Sequence, residues 1–212
     1  MSEPTRLVLI RHGETRLNVE NIFRGRTDIP LNENGFDQAR RLGEALRPQR
    51  LAAVYSSPMD RAMATARGVA EAQGLTVQAM DAFHNICLGA WEGRSKQEIR
   101  QEQPELWRQW VHTPEALVLP GAETIPRVRE RAMRGIAELL DRHASQTVAV
   151  VTHRSVLKTI LAGMLGLERD YFWKFYLDNC SYSTVEHQHP FGFTLTSLNE
   201  CCHLPSRTRE TF

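Results

Sequence analysis

Cysteine is scarce in this chain and unpatterned: four residues in 212, at positions 87, 180, 201 and 202, with no C-x-x-C pair. That argues against a disulfide framework and fits a reducing compartment. The Cys201-Cys202-His203 cluster places ligands side by side near the end of the chain, a poor zinc pattern, so no metal is expected there. No apolar run approaches the roughly 20 residues that span a bilayer, and Met1 to Pro4 has no basic segment leading into an apolar one. A cytoplasmic protein is expected. A net charge of +1 gives no global attraction to nucleic acid or to a membrane surface, and neither is expected as a partner. Linker composition and internal repeats are also missing. The simplest division is one α/β domain over residues 1–212, with a flexible tail over 200–212.

What is present is a set of charged and polar turns placed after apolar strands. Leu7-Val8-Leu9-Ile10 runs into Arg11-His12-Gly13-Glu14-Thr15. Four consecutive large apolar residues read as a strand covered on both faces, and ligands in open α/β sheets bind beyond the carboxyl ends of such strands. Taken alone, an Arg and a His there could simply end a strand in solvent. Two further segments repeat the arrangement: residues 51–55 lead into Ser56-Ser57-Pro58 and Arg61, and residues 147–151 lead into Thr152-His153-Arg154. If the three strands are parallel and adjacent, Arg11, His12, Arg61 and His153 share one crevice that holds no carboxylate. Such a crevice calls for an anion, and a tetrahedral phosphoryl group suits forked Arg donors.

These segments, in this order and spacing, resemble the histidine phosphatase superfamily in its phosphoglycerate-mutase-like branch. The likeness runs from Leu7 to about Leu198. It is carried by Leu9 to Thr15 with Asn18, Gly25 to Leu31, Ser56-Ser57-Pro58 with Arg61, Gly89-Ala90-Trp91-Glu92-Gly93, Pro120 to Thr124, and Val151-Thr152-His153. The resemblance implies a three-layer α/β/α sandwich with a mostly parallel central sheet and a helical insert over residues 93–120 that roofs the site.

Periodicity supplies the surrounding elements. Helices are expected over 34–46, from Pro58 onward with Arg61 in the first turn, and over 123–143, and residues 174–177 are expected to close another. Alternation over 182–187 and 193–198 suggests an edge hairpin turning near Pro190 and Gly192. Trp107 and Trp110 in the insert read first as packing residues.

Chemistry follows from the residue types. A neutral imidazole held by a backbone carbonyl at one nitrogen can attack phosphorus with the other. His12 is the candidate nucleophile, while Arg11, Arg61 and His153 hold the equatorial oxygens. By carry-over from matching positions, Asn18 and the backbone at Gly25 complete the phosphate pocket. Arg24 and Arg154 are candidate additional cations, against the ordinary reading of solvated surface arginines. No cofactor is called for. The sequence departs from the family pattern at Asn85, four residues before Gly89, where the resemblance calls for an acid that protonates the leaving oxygen. Asp81, His84, Glu92 and Glu123 are the nearby alternatives, His84 and Glu123 preferred by position. The expected partner is a small-molecule phosphate ester, and a homodimer remains open. Three activities stay in view: a phosphomonoesterase acting on a small cytosolic metabolite, a phosphoglycerate mutase, and a catalytically weak phosphate-binding or regulatory protein, the last suggested by Asn85 alone.

Overall fold

Alternation along three short strands builds the molecule. In β1 (Thr5–Arg11), Leu7 and Leu9 enter one hydrophobic cluster while Val8 and Ile10 enter another. β2 (Ala53–Ser56) and β4 (Thr147–Thr152) divide their side chains in the same way, with Tyr55, Val148 and Val150 on one face and Val54, Ala149 and Val151 on the other. A strand with two apolar faces must be covered on both, which is why helices flank the sheet on either side. The structure, a computed structural model, describes residues 3–206.

The elements follow in the order β1, α1 (Arg16–Val19), α2 (Glu33–Leu46), β2, α3 (Asp60–Glu71), β3 (Val77–Ala79), α4 (Lys96–Glu102), α5 (Pro104–His112), α6 (Ile125–Arg142), β4, α7 (Arg154–Met164), β5 (Tyr182–Gln188) and β6 (Gly192–Glu200). The six strands form one mixed sheet of order β3-β2-β4-β1-β5-β6. The first four are mutually parallel, and β5 and β6 join as an antiparallel hairpin on β1. The three strands expected to be adjacent are so, with β4 between β1 and β2. Their carboxyl ends are level, since Arg11 stands opposite Thr152 and Ser56 opposite Val151. β3 has no counterpart among the expected elements; its three residues are mostly exposed at the sheet edge. A short edge strand offers little unpaired backbone to other chains.

Helices α2 and α3 pack on each other over one face, where a Cβ on Gly43 would stand 2.2 Å from Gly68 O. The insert supplies α4, opened by a Ser95–Glu98 capping box, and α5. Trp110 of α5 sits at the centre of a ring cluster, 5.7 Å from Phe23, 5.4 Å from Phe172 and 5.4 Å from Trp173 between centroids. Offset and edge contacts of this kind stabilise beyond area burial.

One expectation is corrected. Residues 174–177 are not helical, because α7 stops at Met164 before Gly166 (φ +68°), and Tyr171, Phe172 and Phe175 are drawn into the core instead. Glu115 fixes that irregular segment by accepting from the Tyr171 and Phe172 N–H groups at 3.0 and 2.9 Å. Within the segment 200–212, residues 201–204 make contacts with the body of the chain. Cys201 is buried, Leu204 N donates to Cys201 O, and His203 Nε2 donates to Cys180 O at 3.0 Å. Residues 207–212 lie outside the described residues. Among the described residues, no helix is long and apolar enough to cross a membrane.

Glycine closeness locks α2 onto the turn after β1. A Cβ on Gly35 would lie 2.1 Å from Glu14 O, and one on Gly13 would lie 2.7 Å from Gly35 O. Gly35→Ala should therefore destabilise by about 1–3 kcal/mol as overpacking does and lower turnover by shifting the turn that carries His12. Gly74→Ala, with φ +68° and no atom within 4 Å, should cost about 1–2 kcal/mol from backbone strain alone and spare turnover. Urea unfolding with parallel rate measurements checks both.

Candidate active site

His12 follows directly on β1 and is held from several sides. Its N–H donates to Thr152 O, its carbonyl accepts from Asn179 Nδ2 and Cys180 N, and the next N–H, of Gly13, donates to Thr65 Oγ1 at 2.9 Å. The ring is buried, with Nδ1 2.7 Å from Gly13 O. A carbonyl can only accept, so Nδ1 carries the proton and Nε2 carries the lone pair. Burial pushes His12 well below the ordinary histidine pKa, and the charges of Arg61, Arg11 and Arg24 push it further.

His153, the residue before α7, places its ring 5.1 Å from that of His12, the planes inclined by 60°. Its Nε2 lies 2.8 Å from Ser57 Oγ, and its buried Nδ1 has no hydrogen-bond partner. Burial, then Arg61 and His12, lower its pKa well below the ordinary value. Arg61, in the first turn of α3, is fully buried; Nη1 donates to Thr27 O at 3.0 Å and Nη2 to Gly25 O at 3.1 Å, while Nε has no partner. Burial lowers even this guanidinium to about 10. Arg11 is anchored by Nη1 donating to Leu177 O at 2.7 Å. Backbone carbonyls accept from both guanidinium groups, and the exposed Asp28 approaches Arg61 Nη1 at 3.8 Å.

Arg11, His12, His153, Arg24, Arg154 and Asn85 line one cleft, so the structure brings these predicted residues together. Arg24 reaches it from the loop after α1, with Nη1 donating to Leu17 O at 3.2 Å. Gly25 lines it too, with φ +50°, and a Cβ there would fall 2.1 Å from Glu92 Oε1. Its carbonyl, facing Arg61 and Asn85, shapes the pocket by accepting. Asn18 is not among the cleft-lining residues; its Oδ1 accepts from Thr15 N and Oγ1 and closes the turn after His12. Ile22, Phe23, Trp110 and Trp173 give the cleft an apolar wall, which makes Trp110 more than a packing residue.

The alternatives for the acid do not serve. Burial would raise the Glu123 carboxyl, but hydrogen bonds and charge from Arg131, with Arg26, outweigh it and hold the group below its ordinary pKa. Glu92 accepts from Leu88 N at 2.8 Å through Oε1, away from the cleft lining. His84 is lowered by burial and by Arg26 and Arg131, so it is neutral near pH 7. Asp81 is exposed at the start of a short turn.

Several contributors are not visible from the sequence alone. Arg26 Nε and Arg131 Nη2 both donate to the Asn85 carbonyl, at 3.0 and 3.2 Å, and hold that residue at the cleft. Lys96 lines the cleft from the first turn of α4, and Lys158 lies 4.4 Å from the centroid of the Trp173 ring that walls it. These four lie in loops and helices where charges read as solvated. Ser57, which meets His153, does carry a signal, as part of the Ser-Ser-Pro turn.

The two buried histidines bear on stability. Both have folded pKa values depressed below the unfolded value of about 6.5, so below that pH the unfolded chain binds more protons and is favoured. Stability from these groups is complete above about pH 6.5 and is lost as pH falls toward their lowered folded values. The urea midpoint should therefore fall between about pH 6.5 and 5, and His153→Gln should flatten that part of the profile.

Known proteins resemble this chain over most of its length. The model of the histidine phosphatase superfamily (branch 1) matches residues 7–200. Phosphoserine phosphatase 1 of Hydrogenobacter thermophilus is 35% identical over 199 residues, covering 94% of this chain and 94% of its own. The adenosylcobalamin/alpha-ribazole phosphatase of Escherichia coli is 31% identical over 194 residues, covering 92% of this chain and 95% of its own. The solved structure of Bacillus stearothermophilus YhfR superposes with a TM-score of 0.89 at 34% identity, covering 94% of this chain and 98% of its own. With two histidines and two arginines gathered at the ends of its parallel strands, this chain belongs to the histidine phosphatase superfamily and is a phosphatase of the phosphomonoesterase type.

Proposed function

We propose that the chain hydrolyses a small phosphometabolite in the cytoplasm through a phosphohistidine on His12, without a metal or other cofactor. The observation that carries this reading is the 2.7 Å contact from His12 Nδ1 to Gly13 O, which leaves an uncharged Nε2 lone pair beside buried guanidinium groups. Relatives named as phosphoserine and alpha-ribazole phosphatases support a small phosphate ester as substrate.

In the first step His12 Nε2 bonds to phosphorus and the bond to the ester oxygen breaks, its electron pair leaving on that oxygen. Arg11, Arg61 and His153 stabilise the charge on the three remaining oxygens, with Arg24 and Arg154 adding cations at the cleft. Arg61 Nε and His153 Nδ1, buried without partners, are donors that such an anion satisfies. Desolvated, preorganised donors of this kind act without reorganising as charge develops. Asn18 Oδ1 is engaged with Thr15, so any contact of Asn18 with the phosphate is made through its amide N–H. In the second step water attacks phosphorus and the bond to Nε2 breaks, returning His12. The domain carries the site as one unit, with the insert over residues 93–120 as its roof.

His12→Ala should remove turnover and the labelled phosphoenzyme while leaving circular dichroism unchanged. A folded His12→Ala protein of near wild-type activity would reject the nucleophile assignment. Asn85 makes a second expectation. General acid catalysis is worth about 10²–10⁴-fold, so p-nitrophenyl phosphate, whose leaving group needs no proton, should be turned over far faster than an alkyl phosphate. Asn85→Glu should raise kcat for the alkyl ester alone; equal gains on both substrates, or none, would mean that residue 85 does not control leaving-group departure.

A further inference from the structure

Among the described residues that line this cleft, none is a carboxylic acid that could protonate a leaving group. Asn85 Nδ2 donates to Gly25 O at 2.7 Å, and its Oδ1, buried and without a hydrogen-bond partner, can only accept. Glu123 is engaged by two arginines, and Glu92 by a backbone N–H. Among the described residues that line the cleft there is no aspartate or glutamate. The histidines that line it are neutral. Beyond Arg11 the same cleft receives cations from three separate elements: Arg24 from a loop, Lys96 from α4 and Arg154 from the first turn of α7.

Leaving-group chemistry sorts the substrates. A departing alkoxide is about as basic as hydroxide, whose conjugate acid has a pKa of about 15.7. It needs a proton, and no carboxyl group lines this cleft to give one. A departing phosphate, with a second pKa of about 6, leaves without one. It carries two negative charges into a region of low dielectric, where charge-assisted contacts to Arg and Lys stabilise it most. The cleft thus has the cations an anionic leaving group needs and lacks the carboxylic acid that best serves an alkoxide.

We propose that, beside the monoesters its family hydrolyses, this chain prefers a phosphoanhydride to an alkyl monoester, with the terminal phosphoryl group against His12 and the leaving phosphate held among Arg24, Lys96 and Arg154. This rests on His12 being the nucleophile. The Nε2 lone pair forms the bond to the terminal phosphorus. The bridging P–O bond breaks, its electron pair stays on the bridging oxygen, and that oxygen completes the departing phosphate with no proton transferred. Water then bonds to the phosphorus of phosphohistidine, the P–N pair returns to Nε2, and the two water protons leave with the inorganic phosphate. Asn85 Oδ1, restricted to accepting, suits that water by taking a hydrogen bond from it.

ADP and AMP test this with one nucleoside, since the first releases a phosphate leaving group and the second an alkoxide. In wild-type enzyme, kcat/KM for phosphate release should favour ADP over AMP by about a hundredfold or more, the scale of a missing general acid. Lys96→Gln should lower the ratio of ADP to p-nitrophenyl phosphate turnover by about tenfold, the scale of one lost charge-assisted hydrogen bond. Asn85→Glu should narrow the gap between ADP and AMP. If p-nitrophenyl phosphate is hydrolysed in a His12-dependent way but AMP matches or exceeds ADP, the anhydride assignment is overturned and the phosphohistidine reading stands. An equal loss on all three substrates in Lys96→Gln overturns the anhydride assignment in the same way. If none of the three is hydrolysed and no phosphoenzyme forms, both readings fall.

Discussion

Everything at the cleft depends on burying arginines against backbone carbonyls. A guanidinium out of water must find acceptors, and here these include the carbonyls of Leu177, Gly25, Thr27 and Leu17. Carbonyl dipoles satisfy N–H groups while leaving the net charge positive. The remaining charge helps burial hold His12 and His153 neutral, and a neutral imidazole is what a nucleophile at phosphorus must be. A carboxylate partner for Arg61 would have cancelled the charge and removed the reason for an anion to enter; Asp28, which approaches it, is half-exposed and 3.8 Å away.

The position at residue 85 is built with unusual firmness for a residue that transfers no proton. Two arginines grip its carbonyl, one of them braced bidentately on Glu123, and its amide is fixed on Gly25. The scaffold that would aim an acid is therefore intact around an amide. The clamp holds the loop over residues 82–88 whatever its side chain does, so chemistry at the leaving group can change by one substitution with the cleft's walls unmoved.

Much of this is legible in the sequence. Three apolar runs ending in Arg-His, Ser-Ser-Pro and Thr-His-Arg are enough to place β1, β2 and β4 side by side and to bring His12, Arg61 and His153 to one edge, because buried parallel strands and helix starts leave plain local patterns. What stays hidden depends on contacts between distant segments. Arg131 reads as one more charge on the outer face of a helix, and nothing local says that it reaches the Asn85 carbonyl 46 residues away. Lys96 likewise reads as a solvated helix start. Asn18 is ambiguous because its spacing from Thr15 serves a capping box as well as it serves a ligand. Residues 174–177 carry a helical pattern that the burial of Tyr171, Phe172 and Phe175 overrides, and β3 is too short to show alternation.

The position of β4 in the sheet has a consequence for how the chain is made. It lies between β1 and β2, yet it begins at residue 147, long after both. Until the ribosome has delivered it, β1 and β2 each have an apolar strand edge with no neighbour on that side, and the two halves of the cleft have no common frame. Late insertion of a central strand means long loops must close before pairing is rewarded, a topology that folds slowly and exposes sticky edges meanwhile. The nascent chain therefore carries its greatest aggregation hazard during synthesis of α4 to α6, the very stretch whose Lys96 and Trp110 later line the cleft and whose Arg131 braces it.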